Sequence, residues 1–256
     1  MSMVDGVLDK KIVGVIPARY SSSRLPGKPL KDICGKPMIY WVAKRVSSSI
    51  LTEYYVATDD DRIFDVCQKY SIPCVMTSSQ CINGTERVAE LATKIAADYY
   101  VNIQGDEPCI EVEAINEIVL SIQRFVQIQF IQAVSKITDT RMLSDDSIVK
   151  VAVSEINNRA LYYSRLPIPY SRDKKGLEDV TSYRCLGLYL YSRSFLRKYS
   201  LMDSTRLELI EHIEQLRILE NDIAINVVEV TDDGISVDTV EDLEKVRQKY
   251  SLGLCS

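Results

Sequence analysis

Lys11 to Leu30 reads KIVGVIPARYSSSRLPGKPL, and the change of character halfway along it points to the fold class. Lys11 to Pro17 (KIVGVIP) is a continuous apolar run that stops at a proline. A run without alternation is the pattern of a strand buried on both faces of a parallel sheet. Ala18 to Pro29 is then a loop rich in Ser, Gly and Pro. In open α/β sheets ligands sit beyond the carboxyl ends of strands, which is where this loop falls. Its Arg19, Arg24 and Lys28 are spaced by small residues such as Ser21, Ser22 and Ser23. Arginine grips phosphate oxygens as a fork and lysine acts as a point charge, so the set suits a triphosphate, with loop amides as further donors. The loop is neither GxGxxG nor GxxxxGK[ST], because Gly27-Lys28 is followed by Pro29, and this excludes the dinucleotide and P-loop readings. On residue types alone, a solvated basic loop explains it equally well.

Working outward, the apolar residues Met38, Ile39, Trp41, Val42 and Val46 recur at helical spacing. Tyr54 to Ala57 reads as a short strand ending in Asp59, Asp60 and Asp61, an acidic cluster of the kind favoured at a helix N-terminus. Further strands are expected at Pro73–Met76 and Tyr99–Ile103, with a helix at Glu86–Ala97 between them. Strands alternating with helices imply βαβ units and a mostly parallel sheet. After about residue 150 the segments KVAVS, RALYYS and CLGLYLYS are strand-like but separated by polar loops, which calls for an antiparallel or mixed portion. A helix is expected over Leu207–Leu219, a strand over Ile223–Val230 and a last helix over Thr239–Tyr250. No repeat or linker divides the chain, so one α/β domain is expected, its two halves sharing one sheet.

Composition sets limits on this reading. At 46% hydrophobic over 256 residues the chain can build a full core,. A net charge of −5 argues against a general affinity for nucleic acid or anionic membrane, so any polyanion must meet a local cluster of Lys and Arg,. Seven scattered cysteines, no CxxC pair and one histidine argue against a zinc site and favour free thiols in a reducing cytoplasm. The start MSMVDGVLDKK has no apolar core of a targeting signal,.

Four other groups of residues can carry chemistry. Asp106 closes the buried strand Tyr99–Ile103, where a carboxylate can hold magnesium against phosphates or simply make a turn. Glu107 and Asp238 are further candidates, although Asp238 precedes Thr239-x-x-Asp242, which resembles a capping box. In Asn83-Gly84-Thr85-Glu86-Arg87, Asn-Gly makes a turn, Thr85 is placed to cap a helix, and Arg87 in the first turn opposes the dipole preference and so implies a specific partner. Arg165, Arg172 and Arg184 near Tyr189 and Tyr191 can bind an anionic, hydroxylated ligand or can be surface and core residues. His212 reads as structural or exposed within a polar helix.

Taken in order, IPARYSSSRLPGKPL (Ile16–Leu30), GKPMI (Gly35–Ile39), VATDD (Val56–Asp60), NGTERVAE (Asn83–Glu90), VNIQGDEP (Val101–Pro108), YYSRLPIPYSRD (Tyr162–Asp173), LGLYLY (Leu186–Tyr191), EQLRIL (Glu214–Leu219) and SVDTVEDLEKVR (Ser236–Arg247) closely resemble the CMP-Kdo synthetase family, the 3-deoxy-manno-octulosonate (Kdo) cytidylyltransferases. The resemblance runs from about residue 12 to 247. It implies a three-layer nucleotidyltransferase fold with a mixed, mostly parallel central sheet. Residues 11–150 would form mainly the nucleotide half, and 151–250 the sugar-binding and dimerisation half.

The implied activity is magnesium-dependent joining of CTP to the 2-hydroxyl of Kdo. The products would be pyrophosphate and CMP-Kdo, the latter for lipopolysaccharide biosynthesis, made by a cytoplasmic homodimer with no nucleic-acid or membrane partner. By the same resemblance Arg19, Arg24 and Lys28 hold the triphosphate, with Arg24 and Lys28 also catalytic, and Asp106 and Asp238 bind magnesium. Ala18, Arg19, Asn83, Gly84 and Arg87 frame the nucleoside. Gln104, Arg165, Arg172, Tyr189, Glu214 and Gln215 lie on the sugar side. Three positions depart from the family pattern: Cys185 stands where His is frequent, Val240 where Pro is, and Asn83 where Ser is.

Overall fold

β1 (Ile12–Ala18) is buried at every position, as a strand covered on both faces must be. It belongs to a computed structural model that describes residues 9–22, 24–172, 181–232 and 234–255. After β1 the chain makes a 3₁₀ turn at Lys28–Leu30 and a small hairpin of β2 (Asp32–Ile33) and β3 (Lys36–Pro37). It then forms α1 (Met38–Ser47), β4 (Glu53–Thr58), α2 (Asp61–Lys69), β5 (Cys74–Met76), α3 (Gly84–Lys94), β6 (Tyr99–Ile103) and α4 (Val112–Leu120). β7 (Phe130–Lys136), α5 (Thr140–Ser144), β8 (Lys150–Ser154), β9 (Arg159–Ser164) and β10 (Tyr183–Ser192) follow. α6 (Arg193–Tyr199), α7 (Arg206–Glu211), α8 (Glu214–Glu220), β11 (Ile225–Glu229) and α9 (Val240–Ser251) complete the described elements.

The main sheet has 9 strands in the order β5-β4-β1-β6-β10-β7-β11-β9-β8. β5, β4, β1 and β6 are parallel, β10 runs antiparallel to both β6 and β7, and β11 is parallel to β7. The sheet is therefore mixed, and strands from both halves of the chain share it. Successive residues of β1 face opposite layers. Ile12 and Ile16 pack with Ile39 and Val42 of α1, Ile63 of α2 and Ile115 of α4. Val13 and Val15 pack with Val88 and Leu91 of α3, Phe195 of α6 and Leu216 of α8. A third apolar cluster joins Leu25, Val237 and Cys109, one from each of three loops, to Leu243 and Val246 of α9.

Strand order also places the ligand crevice. From β1 the crossovers run through β4 to β5 on one side, whereas β6 returns to the other. Such a reversal opens a crevice at the carboxyl ends of the two central strands. Here the loops 18–30 and 104–108 meet.

Three expectations need correction. The helix expected over Leu207–Leu219 is broken: His212 adopts φ 54°, ψ 47°, a left-handed conformation that ends α7 and lets α8 restart in a new direction. Thr85 does not cap α3. Asn83 does, its side chain accepting the Glu86 N–H at 2.8 Å, because Asn-Gly places the amide oxygen one turn ahead. Of the acidic triple, Asp60 caps α2 and Asp61 opens its first turn as expected, and only Asp59 departs, pairing with Arg87. The Thr239–Asp242 capping box does form, with both reciprocal bonds present.

Candidate active site

The crevice is a cleft of about 840 Å³. One side is the loop after β1, contributing Ala18, Arg19, Arg24 and Lys28. At its centre, Lys28 Nζ donates to Asp106 Oδ2 at 2.8 Å and Asp238 Oδ1 at 3.0 Å. Arg24 Nη2 lies 3.0 Å from the same Asp238 oxygen. Burial pulls the Lys28 pKa down, but Asp106 and Asp238 outweigh it and the net shift is upward. Two carboxylates without a cation between them would repel at this separation. The ammonium marks the point where positive charge is wanted. Hard oxygen donors from two carboxylates, still open to solvent and to a phosphate, suit magnesium, which keeps waters and borrows substrate oxygens. Lys28 and Arg24 would then be released toward the phosphates.

Behind Asp106, Glu107 is buried, and that burial, followed by the charges of Asp232 and Asp106, pushes its carboxyl up to about 8. Close backbone approach fixes this loop. A Cβ on Gly105 would lie 2.7 Å from the Pro17 carbonyl oxygen, and one on Gly187 would lie 2.6 Å from Gln104 Cγ. The Gln104 N–H donates to the Gly187 carbonyl at 3.0 Å, which ties the β6 loop to an irregularity in β10 between Cys185 and Tyr189.

Asn83, Gly84 and Arg87 reach the cleft from the start of α3. The partner that the position of Arg87 implied is internal. Arg87 is 3% exposed, pairs with Asp59 at 3.2 Å and donates to Thr77 Oγ1 at 2.5 Å. It therefore braces α3 against the end of β4.

Gln104, Tyr189, Glu214 and Gln215 also line the cleft. Glu214 Oε1 accepts from Thr85 Oγ1 at 3.0 Å, and Thr85 is 2.8 Å from Tyr191 OH, which also accepts from Asn102 Nδ2 at 3.2 Å. Burial pushes the Glu214 carboxyl up to about 7 despite that bond and the nearby Arg217. Gln215 shares a hydrogen bond with Tyr189 and donates to Gln132 Oε1 at 3.1 Å. Sequence reasoning missed Thr85, Tyr191 and Asn102 as partners around Glu214 and Gln132 as the partner of Gln215, since they lie on four elements that only the fold brings together.

Two expected site residues stand apart from the cleft. Arg165 directs Nε to the Glu211 carbonyl at 2.8 Å, Nη1 to the Asp146 carbonyl at 2.8 Å and Nη2 to the His212 carbonyl at 3.3 Å. Arg172 is exposed, and neither arginine lines the cleft. A wall of the cleft that the sequence did not signal is Asp145 and Ser147–Val149, a short polar turn ahead of β8. Cys185 also lines the cleft, where burial raises its thiol pKa and keeps it a weak nucleophile.

A cation-rich loop and converging carboxylates meet at the switch point of this sheet, the arrangement a nucleotidyltransferase needs. Solved structures share the fold: one of apo UDP-glucose pyrophosphorylase superposes with a TM-score of 0.67 at 12% identity, covering 94% of this chain and 98% of the other. The chain belongs to the cytidylyltransferase family, whose model matches residues 13–225. Its relatives there include a Fusobacterium nucleatum protein named 3-deoxy-manno-octulosonate cytidylyltransferase. That protein is 44% identical over 92% of this chain and 95% of its own length. A Geobacter sulfurreducens protein of the same name is 42% identical over 93% and 98%. A solved structure of CMP:2-keto-3-deoxy-manno-octonic acid synthetase complexed with CTP superposes with a TM-score of 0.88 at 38% identity, covering 95% of this chain and 99% of the other.

Proposed function

We propose that this chain joins CTP to the 2-hydroxyl of Kdo, releasing pyrophosphate and forming CMP-Kdo for lipopolysaccharide assembly in the cytoplasm. The observation that carries the chemistry is the convergence of Asp106, Asp238, Lys28 and Arg24 on one point of the cleft. The similarity to named relatives over nearly their whole length supports the identity of both substrates.

Arg19, Arg24 and Lys28 bind the triphosphate, and Lys28 and Arg24 stabilise the charge that grows on the departing pyrophosphate. Asn83, held by its cap bond and by its Nδ2 donating to Tyr199 OH at 3.1 Å, presents the turn that frames the nucleoside with Ala18, Gly84 and Arg87. Gln104, Tyr189, Glu214 and Gln215 orient the acceptor for in-line attack, a task of positioning more than of covalent help. Asp106 and Asp238 would hold magnesium, which supplies charge neutralisation at the phosphate and acidifies the attacking hydroxyl. The assembly is a homodimer formed by the second half, where Leu161 of β9 and Leu209 and Ile210 of α7 are 60–63% exposed.

Pyrophosphate release with each of four nucleoside triphosphates against Kdo and sialic acid tests the reading. Turnover is expected with CTP and Kdo. D106N and D238N should each lower kcat by about two orders of magnitude and abolish the thermal shift that magnesium gives the wild type with CTP. Turnover only with another nucleotide or acceptor would replace the substrate assignment. Near-normal kcat and an intact magnesium shift in both variants would remove these aspartates from the metal site.

A further inference from the structure

Lys150 opens β8 and is fully buried, with 0% exposure. Its hydrogen bonds go to no carboxylate, although the charges of Asp145 and Asp146 act on it from nearby. The ammonium donates to three backbone carbonyls: Asp145 at 2.6 Å, Ile148 at 2.9 Å and Arg165 at 2.5 Å. An ammonium has three donors and no acceptor, so the three oxygens satisfy it completely, and each carbonyl loses its nearest donor if the ammonium is removed. Two of those carbonyls belong to the turn 145–149, which walls the cleft. The third belongs to Arg165, at the end of β9.

Arg165 extends the same linkage. Its guanidinium donates to the carbonyl of Asp146 in that turn and to those of Glu211 and His212. Its backbone N–H donates to Glu211 Oε2 at 3.1 Å, and Ser164 Oγ donates to Glu211 Oε1 at 3.1 Å. Glu211 and His212 form the joint at which α7 ends and α8 begins, immediately before Glu214 and Gln215. Two stretches of cleft wall, far apart in sequence, are thus tied through one buried ammonium and one guanidinium that stand behind the wall. The loop after β1, assigned to the triphosphate, shares none of these bonds.

We propose that Lys150 is a positioning residue for the acceptor side of the cleft, setting the turn 145–149 against the α7–α8 joint and so fixing where the sugar acid sits. This rests on the cytidylyltransferase reading above. A buried charge coordinated only by carbonyl dipoles has little tolerance for displacement, which is the property a rigid wall requires. Replacement by methionine keeps the length of the side chain and removes all three donors.

The experiment is steady-state pyrophosphate release by Lys150→Met, with CTP and Kdo varied separately. KM for Kdo should rise about tenfold or more while KM for CTP stays within about twofold of wild type. A residue that served stability alone would lower Tm and the active fraction without splitting the two constants. Equal changes in both constants, or no change in either, would overturn the proposal. Should K150M not accumulate as folded protein, Glu211→Ala loosens the same linkage from the half-exposed side and must show the same split; if it does not, the proposal fails. Wild type that releases no pyrophosphate from CTP and Kdo would instead overturn the substrate reading, so the two failures are distinguishable.

Discussion

Lys28 donates across 78 and 210 residues of sequence to Asp106 and Asp238, and much of the site chemistry depends on residues of this kind, whose partners only the fold supplies. For Asp106 residue type left a plain turn or helix cap as good a reading as a metal site, and only the resemblance of the surrounding VNIQGDEP segment singled it out. Asp238 was not separable from a helix start, and the structure shows why: the next residue, Thr239, does build the capping box, while Asp238 itself accepts from Lys28 and pairs with Arg24. Arg165 shows the converse, since residue type cannot tell an arginine that grips a ligand from one that grips carbonyls. At this scale Glu214 gives a prediction about pH. Burial holds its carboxyl up at about 7, above the ordinary value of 4.5, so the folded state keeps its proton where the unfolded chain has released it. Stability from this group is therefore lost as pH rises from 4.5 to about 7 and is level above. A tenfold difference in proton affinity between the folded and unfolded chain is worth about 1.4 kcal/mol. Glu214→Gln has no proton to lose, so its Tm should gain on wild type across that window and hold a constant lead beyond it. A parallel pair of Tm–pH curves would show that Glu214 ionises normally.

Elements meet closely at the ends of β1 and β6, and a second prediction belongs there. Gly105 leaves no space: an added Cβ would stand 2.7 Å from the Pro17 carbonyl, a backbone atom that cannot rotate aside. Gly105→Ala must push the two loops apart, at about 1–3 kcal/mol, and it moves Asp106 away from Lys28. The expected outcome is a Tm several degrees lower with a larger proportional loss in kcat than in CTP affinity. Wild-type Tm and kcat in G105A would mean that the two loops are not held against each other. Most elements were legible at this scale because buried strands and amphipathic helices write their periods directly. β7 escapes that reading although Phe130–Lys136 is buried along most of its length. The α7–α8 break was invisible for a physical reason. Apolar spacing continues through His212, and a single left-handed residue leaves no mark on hydropathy when it is not glycine.

For the whole molecule, the sheet carries strands from both halves, yet its two ends have different surroundings. The β5 end is built from the strands β5, β4 and β1 of the first 76 residues. The other end, β9 and β8, adjoins α7 and α8 and exposes Leu161, Leu209 and Ile210 at 60–63%. Leu209 and Ile210 are adjacent on α7, and Leu161 lies on β9 at the same end of the sheet; large apolar side chains left exposed there are candidates for an interaction surface. A second copy of the same chain, meeting it about a two-fold axis, covers such a surface symmetrically. Light scattering on the purified protein should then give twice the chain mass of 29.0 kDa at micromolar concentration. The double variant Leu161→Glu, Leu209→Glu places two carboxylates of each copy in the buried contact and should run as a monomer. Its KM for CTP should stay near wild type, because the loop after β1 lies toward the opposite end of the sheet. KM for Kdo should rise, because α7 ends at Glu211, whose carboxylate and carbonyl anchor Arg165. A wild type that runs as a monomer would discard the dimer outright. A monomeric double variant with both constants unchanged would keep the dimer but show that the acceptor wall stands without it.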